Sequence, residues 1–393
     1  MRLSGFYGRR ELMITNNQKI CGVINLSESI DATLPLTEHR PVAGLPFCGR
    51  YRLIDFPLSN LASAGADSIG IFMNDRSRSI YDHVRSGSDW DLDGTRGGLF
   101  FFTPMIYQPT YGRVKEDLAN YYDNLEFIEK SGADYVLIMG SRMLCNLDVN
   151  AILRYHLEQK AAITVVYKNM RRVESNALRS TSLVFGGDGR VKQVVSDSAQ
   201  QDDQIAMNME IYLMNARLFA KLIRCCTAGN ELYRLRDALH QSVSEVPTNG
   251  FEYTGYMKNI QSIKAYYDAN MDMLDDTNRA ALINGNHRIS TKIKNEVPAF
   301  YGPKSKASEI LLANGCVIYG SVRRSILSRN VTVAAEAKIE GSILMEGCVI
   351  GEGACLENVI MDKETYVEPG SKVIGSKLKP IVIEKKSTIY LES

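Results

Sequence analysis

The chain has 393 residues, of which 45% are hydrophobic, and a formal net charge of +1. That length allows two domains, each with its own core. The near-zero charge gives no reason to expect nucleic acid or an anionic membrane as partner, and no apolar run approaches the ~20 residues of a membrane span. Residues 1–18 are basic, lack the apolar core of a secretory signal, and read as an N-terminal extension. Lys19–Leu26 (KICGVINL) predicts a buried first strand. In Leu36–Asn60, LTEHRPVAGLPFCGRYRLIDFPLSN, the prolines Pro41, Pro46 and Pro57 predict an ordered, extended loop over 40–47. His39, Arg40, Arg50 and Arg52 put four potential anion ligands on it, unless they are simply solvated. A helix is expected over 115–129, with Leu118, Tyr121, Tyr122, Leu125 and Ile128 along one face. Asp134–Gly140 is a strand, and the C-terminal ends of such strands are where open α/β sheets place their chemistry. Further strands are expected over 161–169 and 206–214, a hairpin over 183–195 turned by Gly186–Gly189, and a helical stretch over 256–274.

A proline-containing connector, 296–308, precedes a 17-residue repeat. Cys316, Val333, Ile350 and Val367 fall in register, as do Val322, Ile339, Leu356 and Val373, and Ile326, Ile343 and Ile360. Apolar residues six apart in each coil are the hexapeptide pattern of a parallel β-helix, whose coils bury their apolar side only against neighbours. Antiparallel hairpins do not predict three columns in register. Acyltransferases also use such coils, usually with a histidine base, but this chain has no histidine after His287, which favours an assembly and regulatory module. The eight cysteines (21, 48, 145, 225, 226, 316, 348, 355) lack metal-ligand spacing and read as reduced thiols of a cytoplasmic protein. Most of the 20 tyrosines and 15 methionines read as packing residues.

Leu36–Asn60 resembles, without a gap, the segment that follows the nucleotide-binding loop in bacterial and plant ADP-glucose pyrophosphorylases (glucose-1-phosphate adenylyltransferases), and weaker similarity runs over roughly 19–385. The resemblance implies a Rossmann-like, glycosyltransferase-A-like nucleotidyltransferase domain over 19–295, with a mixed, mostly parallel sheet. A linker, 296–308, and a left-handed parallel β-helix, 309–393, would follow. Departures from the family pattern all touch chemistry. Asn25–Thr33 (NLSESIDAT) has no glycine where the family wraps a triphosphate, and Glu28 and Asp31 stand where phosphate oxygens would lie. The loop lysine falls on Val42, and the Gly-Thr pair that holds the base on Glu116 and Asp117. The Gly-Asp-His that ends the metal-binding strand becomes Ser141, Arg142 and Met143, and the second metal aspartate becomes Asn259. The sugar-holding Glu-Lys-Pro becomes Ser196, Asp197 and Ser198, while Asn208 and Glu210 replace a serine and a glycine. Magnesium needs hard anionic oxygens, so no Mg²⁺ is expected to bind.

With structural motifs kept and chemical ones replaced, the chain resembles the GlgD-type, non-catalytic regulatory branch of the family. The resemblance implies a cytoplasmic heterotetramer with catalytic subunits that make ADP-glucose and pyrophosphate from ATP and glucose 1-phosphate for glycogen synthesis. This chain would modulate them allosterically. One alternative is a weakly active adenylyltransferase that recruits Mg²⁺ through Asp148 or Asp31. Another is a stand-alone sensor of sugar phosphates or nucleotide sugars, assembled as a homo-oligomer. Arg40, Arg50 and Arg52, with Lys372, Lys379, Lys385 or Lys386, are candidates for an anionic sugar-phosphate or phosphate effector; interdomain or intersubunit ion pairs are the competing explanation. Arg142 either grips a phosphate in place of the metal or pairs with Asp148 or another nearby acid.

Overall fold

The computed structural model describes residues 18–29, 31–73, 77–95, 97–104, 117–172, 180–196, 203–229 and 234–390. The described residues fall in two compact units. One is drawn from Met1–Glu28, Pro57–Ser77 and Val84–Gly255, the other from Ser29–Phe56, Arg78–His83 and Tyr256–Ser393. Residues 29–56, 78–83 and 256–295, expected with the nucleotidyltransferase-like domain, thus group with the β-helical coils. All but the last residue of the expected extension 1–18 lies outside the described residues.

The first unit is built on a nine-stranded mixed sheet. Ile20–Asn25 lies between Ser68–Phe72 and Tyr135–Met139, parallel to both, and Gly98–Phe102 extends the sheet beyond Ser68–Phe72. Buried on both faces, Ile20–Asn25, Ser68–Phe72 and Tyr135–Met139 read as continuous apolar runs rather than alternating ones. The long strand Gln204–Asn215 then runs antiparallel to both Tyr135–Met139 and Ile163–Arg171. The expected hairpin is present as Thr181–Phe185 and Val191–Ser196, and Gly189 supplies a left-handed turn residue at φ 74°. The helix expected over 115–129 is two helices, Leu118–Asp123 and Leu125–Lys130. At the break, the Asn124 side-chain amide donates to the Asn120 carbonyl at 2.8 Å, offering that carbonyl a partner outside the helical ladder. Leu118, Tyr121, Leu125 and Ile128 are buried, whereas Tyr122 is 48% exposed because it lies about 100° around the helix from Tyr121.

The second unit is a parallel β-helix flanked by chain from the loop 29–56 and by the helices Ile263–Asp272 and Asp276–Ile283. The column Val322, Ile339, Leu356, Val373 pairs as expected. So does Ile326, Ile343, Ile360. The third column needs correction: Val333 pairs with Ile318, not with Cys316, because the turn between them is two residues shorter than the 17-residue turns that carry the column on to Ile350 and Val367. Coiling also begins earlier than expected, with Phe300–Tyr301 inside the expected connector and Lys306–Leu312 starting in it. Ile326, Ile343 and Ile360 face outward; Leu327, Leu344 and Met361 beside them fill the interior. The outward isoleucines are nonetheless at most 3% exposed. Helix Ile263–Asp272 packs on this side, with the Tyr267 hydroxyl donating to the Gly341 carbonyl at 2.6 Å. That helix starts at its Ser262 cap, so the expected helical stretch 256–274 begins with a strand, Met257–Asn259. The loop 40–47 is not extended throughout, since Val42–Gly44 makes a 3₁₀ turn before Pro46–Phe47 pairs with Tyr51–Arg52.

Candidate functional site

Two constellations concentrate charge. The first, in the first unit, lies where Ile20–Asn25 and Tyr135–Met139 end. Glu28 turns its carboxylate onto the loop after Tyr135–Met139 and accepts from the backbone N–H of Ser141 at 2.6 Å and of Arg142 at 2.9 Å. Burial raises its pKa, an effect that the Arg142 charge and the Ser141 donors oppose. Arg142 itself donates to Glu210 at 3.4 Å, and the other Glu210 oxygen takes Arg236 at 2.8 Å. Glu210 holds φ 55° in the irregular stretch of Gln204–Asn215, where the sheet register shifts between Asn208 and Ile211. A left-handed residue other than glycine costs about 1–2 kcal/mol, offset here by the two guanidinium contacts.

Asp148, one of the acids considered as a partner of Arg142, instead caps Val149–Glu158 by accepting from Ala151 N–H at 2.8 Å and lies 3.7 Å from Arg154. Asp148→Ala should cost about 1 kcal/mol in thermal unfolding, as the loss of a helix cap does, without altering the chemistry at Arg142. Asn208 is buried and donates to the Tyr212 hydroxyl at 2.9 Å. Asp117 accepts from Asn25 at 3.3 Å and from the Leu235 N–H at 2.8 Å, tying the loop ends together. Ser196 ends its strand exposed, Glu116 and Asp197 lie outside the described residues, and Asp31 in the second unit accepts from the Ser29 hydroxyl at 3.0 Å. Val42 is buried and apolar and offers no ligand to a phosphate, and Asn259 brings an amide rather than a carboxylate. With the Arg142 guanidinium on Glu210 and the Glu28 carboxylate spent on the backbone of Ser141 and Arg142, the donor set at this strand end does not suit Mg²⁺. Among the described residues no group of three His, Cys, Asp or Glu is placed to hold a metal ion.

The second constellation is a cleft in the second unit, lined by Arg50, Arg52, Lys292, Lys294, Arg329 and Lys363, with Glu346 as its one carboxylate. Arg52 donates to the Ser79 carbonyl at 2.6 Å, and Lys363 meets Glu346 at 2.9 Å. Lys294 also pairs with Glu346. No hydrogen bond or ion pair of the Arg50 or Arg329 guanidinium is found among the described residues, and burial and the Arg50 charge both work against the charge on Arg329. Such an excess of cations is stabilised by an anion. Of the expected anion ligands, Arg50 and Arg52 line this cleft. Arg40 does not: it is 6% exposed and spent on an ion pair with Asp362. Lys372, Lys379 and Lys386 also lie elsewhere on the coils, Lys386 at 3.5 Å from Glu364. Lys292, Lys294, Arg329 and Lys363 were not singled out from sequence. Three of the lining residues carried a signal, since Arg329, Glu346 and Lys363 recur at the 17-residue period.

A sheet of this topology followed by hexapeptide coils defines a class, and two family models match the chain in that order. Residues 33–276 match the nucleotidyl transferase model, and 297–380 match the GlmU-like C-terminal hexapeptide model. The chain is 30% identical over 370 residues to the glycogen biosynthesis protein GlgD of Bacillus subtilis (strain 168), covering 94% of this chain and 96% of that one. It is 27% identical over 346 residues to a glucose-1-phosphate adenylyltransferase of Bacillus mycoides, covering 87% and 91%, and similarly to one of Bacillus cereus. The chain belongs to the GlgD and glucose-1-phosphate adenylyltransferase family of nucleotidyl transferases.

Proposed function

We propose that this chain serves ADP-glucose synthesis for glycogen as a non-catalytic, regulatory subunit, paired in a heterotetramer with catalytic glucose-1-phosphate adenylyltransferase chains. The observation that carries the reading is the Glu28–Arg142–Glu210 arrangement. Where family members present an aspartate to a metal and open backbone to a triphosphate, this chain presents a guanidinium and a carboxylate already bonded to each other's surroundings. ATP with its metal meets like charge on both counts. Regulation then requires a ligand that distinguishes two states of the complex, and the cation-rich cleft supports an anionic sugar phosphate or phosphate as that effector.

The test is pyrophosphate release from ATP, glucose 1-phosphate and Mg²⁺ by this chain alone, by a catalytic chain alone, and by the mixture. Silence alone with a changed rate or effector response in the mixture is expected. Metal-dependent turnover by the purified chain overturns the non-catalytic reading, and a mixture indistinguishable from the catalytic chain overturns the regulatory one. For the cleft, Arg50→Ala with Arg329→Ala should weaken inorganic phosphate binding by roughly tenfold or more in calorimetric titration, because two uncommitted guanidiniums are lost.

A further inference from the structure

In the loop that leaves Tyr135–Met139, three donors converge on one place. The N–H groups of Ser141 and Arg142 reach Glu28 Oε1 at 2.6 and 2.9 Å, and the Ser141 hydroxyl reaches Oε1 at 3.1 Å and Oε2 at 2.9 Å. Successive backbone N–H groups aimed at a single point are a general device for holding oxyanions. The acid that fills it comes from far along the chain, 113 residues before Ser141. Its approach depends on Gly140: a Cβ there would stand 2.7 Å from Glu28 Oε1. Arg142 supplies favourable charge nearby, yet its own ion pair is with Glu210 rather than with Glu28. Glu28 is therefore held by the donors of residues 141 and 142 with the Arg142 charge nearby, as a bound anion would be.

We infer that residues 140–142 form a built oxyanion site whose resident ligand is the chain's own Glu28 carboxylate, and that without this side chain the site takes a small free oxyanion, a carboxylate or inorganic phosphate. In the native chain the tethered carboxylate closes the strand end to other oxyanions. This holds whether or not the protein is regulatory, because it concerns occupancy of the site and not turnover.

The experiment is thermal unfolding of the full chain and of Glu28→Ala in sodium chloride, sodium formate and sodium phosphate at matched ionic strength. Glu28→Ala is expected to melt roughly 5 °C or more below the native chain in chloride, since three donors lose their partner. Formate should raise its midpoint saturably toward the native value while leaving the native chain unchanged, and phosphate should act in the same direction. Adding Gly140→Ala to Glu28→Ala should abolish the formate response, because the new Cβ would stand 2.7 Å from the position of the bound oxygen, too close for it to stay. If Glu28→Ala is unfolded in chloride, formate should return its native circular dichroism. A formate response equal in native and variant, none in the variant, or one that survives in the Glu28→Ala/Gly140→Ala protein overturns the inference.

Discussion

Asp362→Ala should lower the unfolding midpoint of the second unit by roughly 6–20 °C, the largest effect expected from any single polar residue of the β-helix. Asp362 and Arg40 form an ion pair whose side chains are 4% and 7% exposed. Among the described residues, the Arg40 guanidinium has only the Met345 sulfur, at 3.9 Å, as a further side-chain hydrogen-bond partner. Removing one partner leaves a desolvated charge without compensation, which costs about 3–5 kcal/mol. Removing both need not, because apolar side chains of similar volume avoid the desolvation altogether. The pair Arg40→Met/Asp362→Leu should therefore recover much of the loss seen in either single variant. A double-mutant cycle followed by circular dichroism checks this. Singles that cost less than about 1 kcal/mol would mean that water reaches the pair.

The same pair shows what the sequence could and could not reveal. The coil column Ser328, Met345, Asp362 turns away from the interior filled by Leu327, Leu344 and Met361, and nothing local names Arg40 as the partner of the aspartate 322 residues away. The 17-residue period was legible because stacked coils place equivalent residues in hydrogen-bonded register. It misled at Cys316 for a physical reason: a single turn can be shorter without breaking the ladder, and only pairing reveals the offset. Periodicity was also blind to facing where both sides of a strand are buried, as at Ile326 and Leu327. In the first unit, Glu28 stood out as an acid set against phosphate chemistry. Its partners did not, since Ser141 and Arg142 meet it only when two parallel strands end side by side. Arg142 invited pairing with the nearer Asp148, yet Asp148 is held by the helix it caps, and the acid that reaches Arg142 is Glu210 from an irregular stretch of the neighbouring antiparallel strand. The cleft was half legible: Arg50 and Arg52 share one loop, whereas Lys292, Lys294, Arg329 and Lys363 come from scattered positions.

Glu346 makes that cleft a source of acid sensitivity. Burial alone would raise its pKa, but the ammonium groups of Lys363 and Lys294 outweigh burial and hold it at about 2, against an ordinary value of 4.5. A carboxyl whose pKa falls on folding binds fewer protons in the native state, so it stabilises that state above pH 4.5 and loses the contribution as pH falls through about 2. A fall of that size corresponds to about 3 kcal/mol at neutral pH. Native chain and Glu346→Gln should accordingly differ by roughly 6–12 °C in unfolding midpoint at pH 7, with the gap closing between about pH 4.5 and 2. A gap that stays constant across this range would assign the loss to packing rather than to charge. The amide also leaves the cleft's cations without their one lining carboxylate, so inorganic phosphate should raise the midpoint of Glu346→Gln more than that of the native chain. An equal phosphate response in the two proteins would mean that the anion sits away from Lys294 and Lys363, and would move the proposed effector contact toward Arg50 and Arg329.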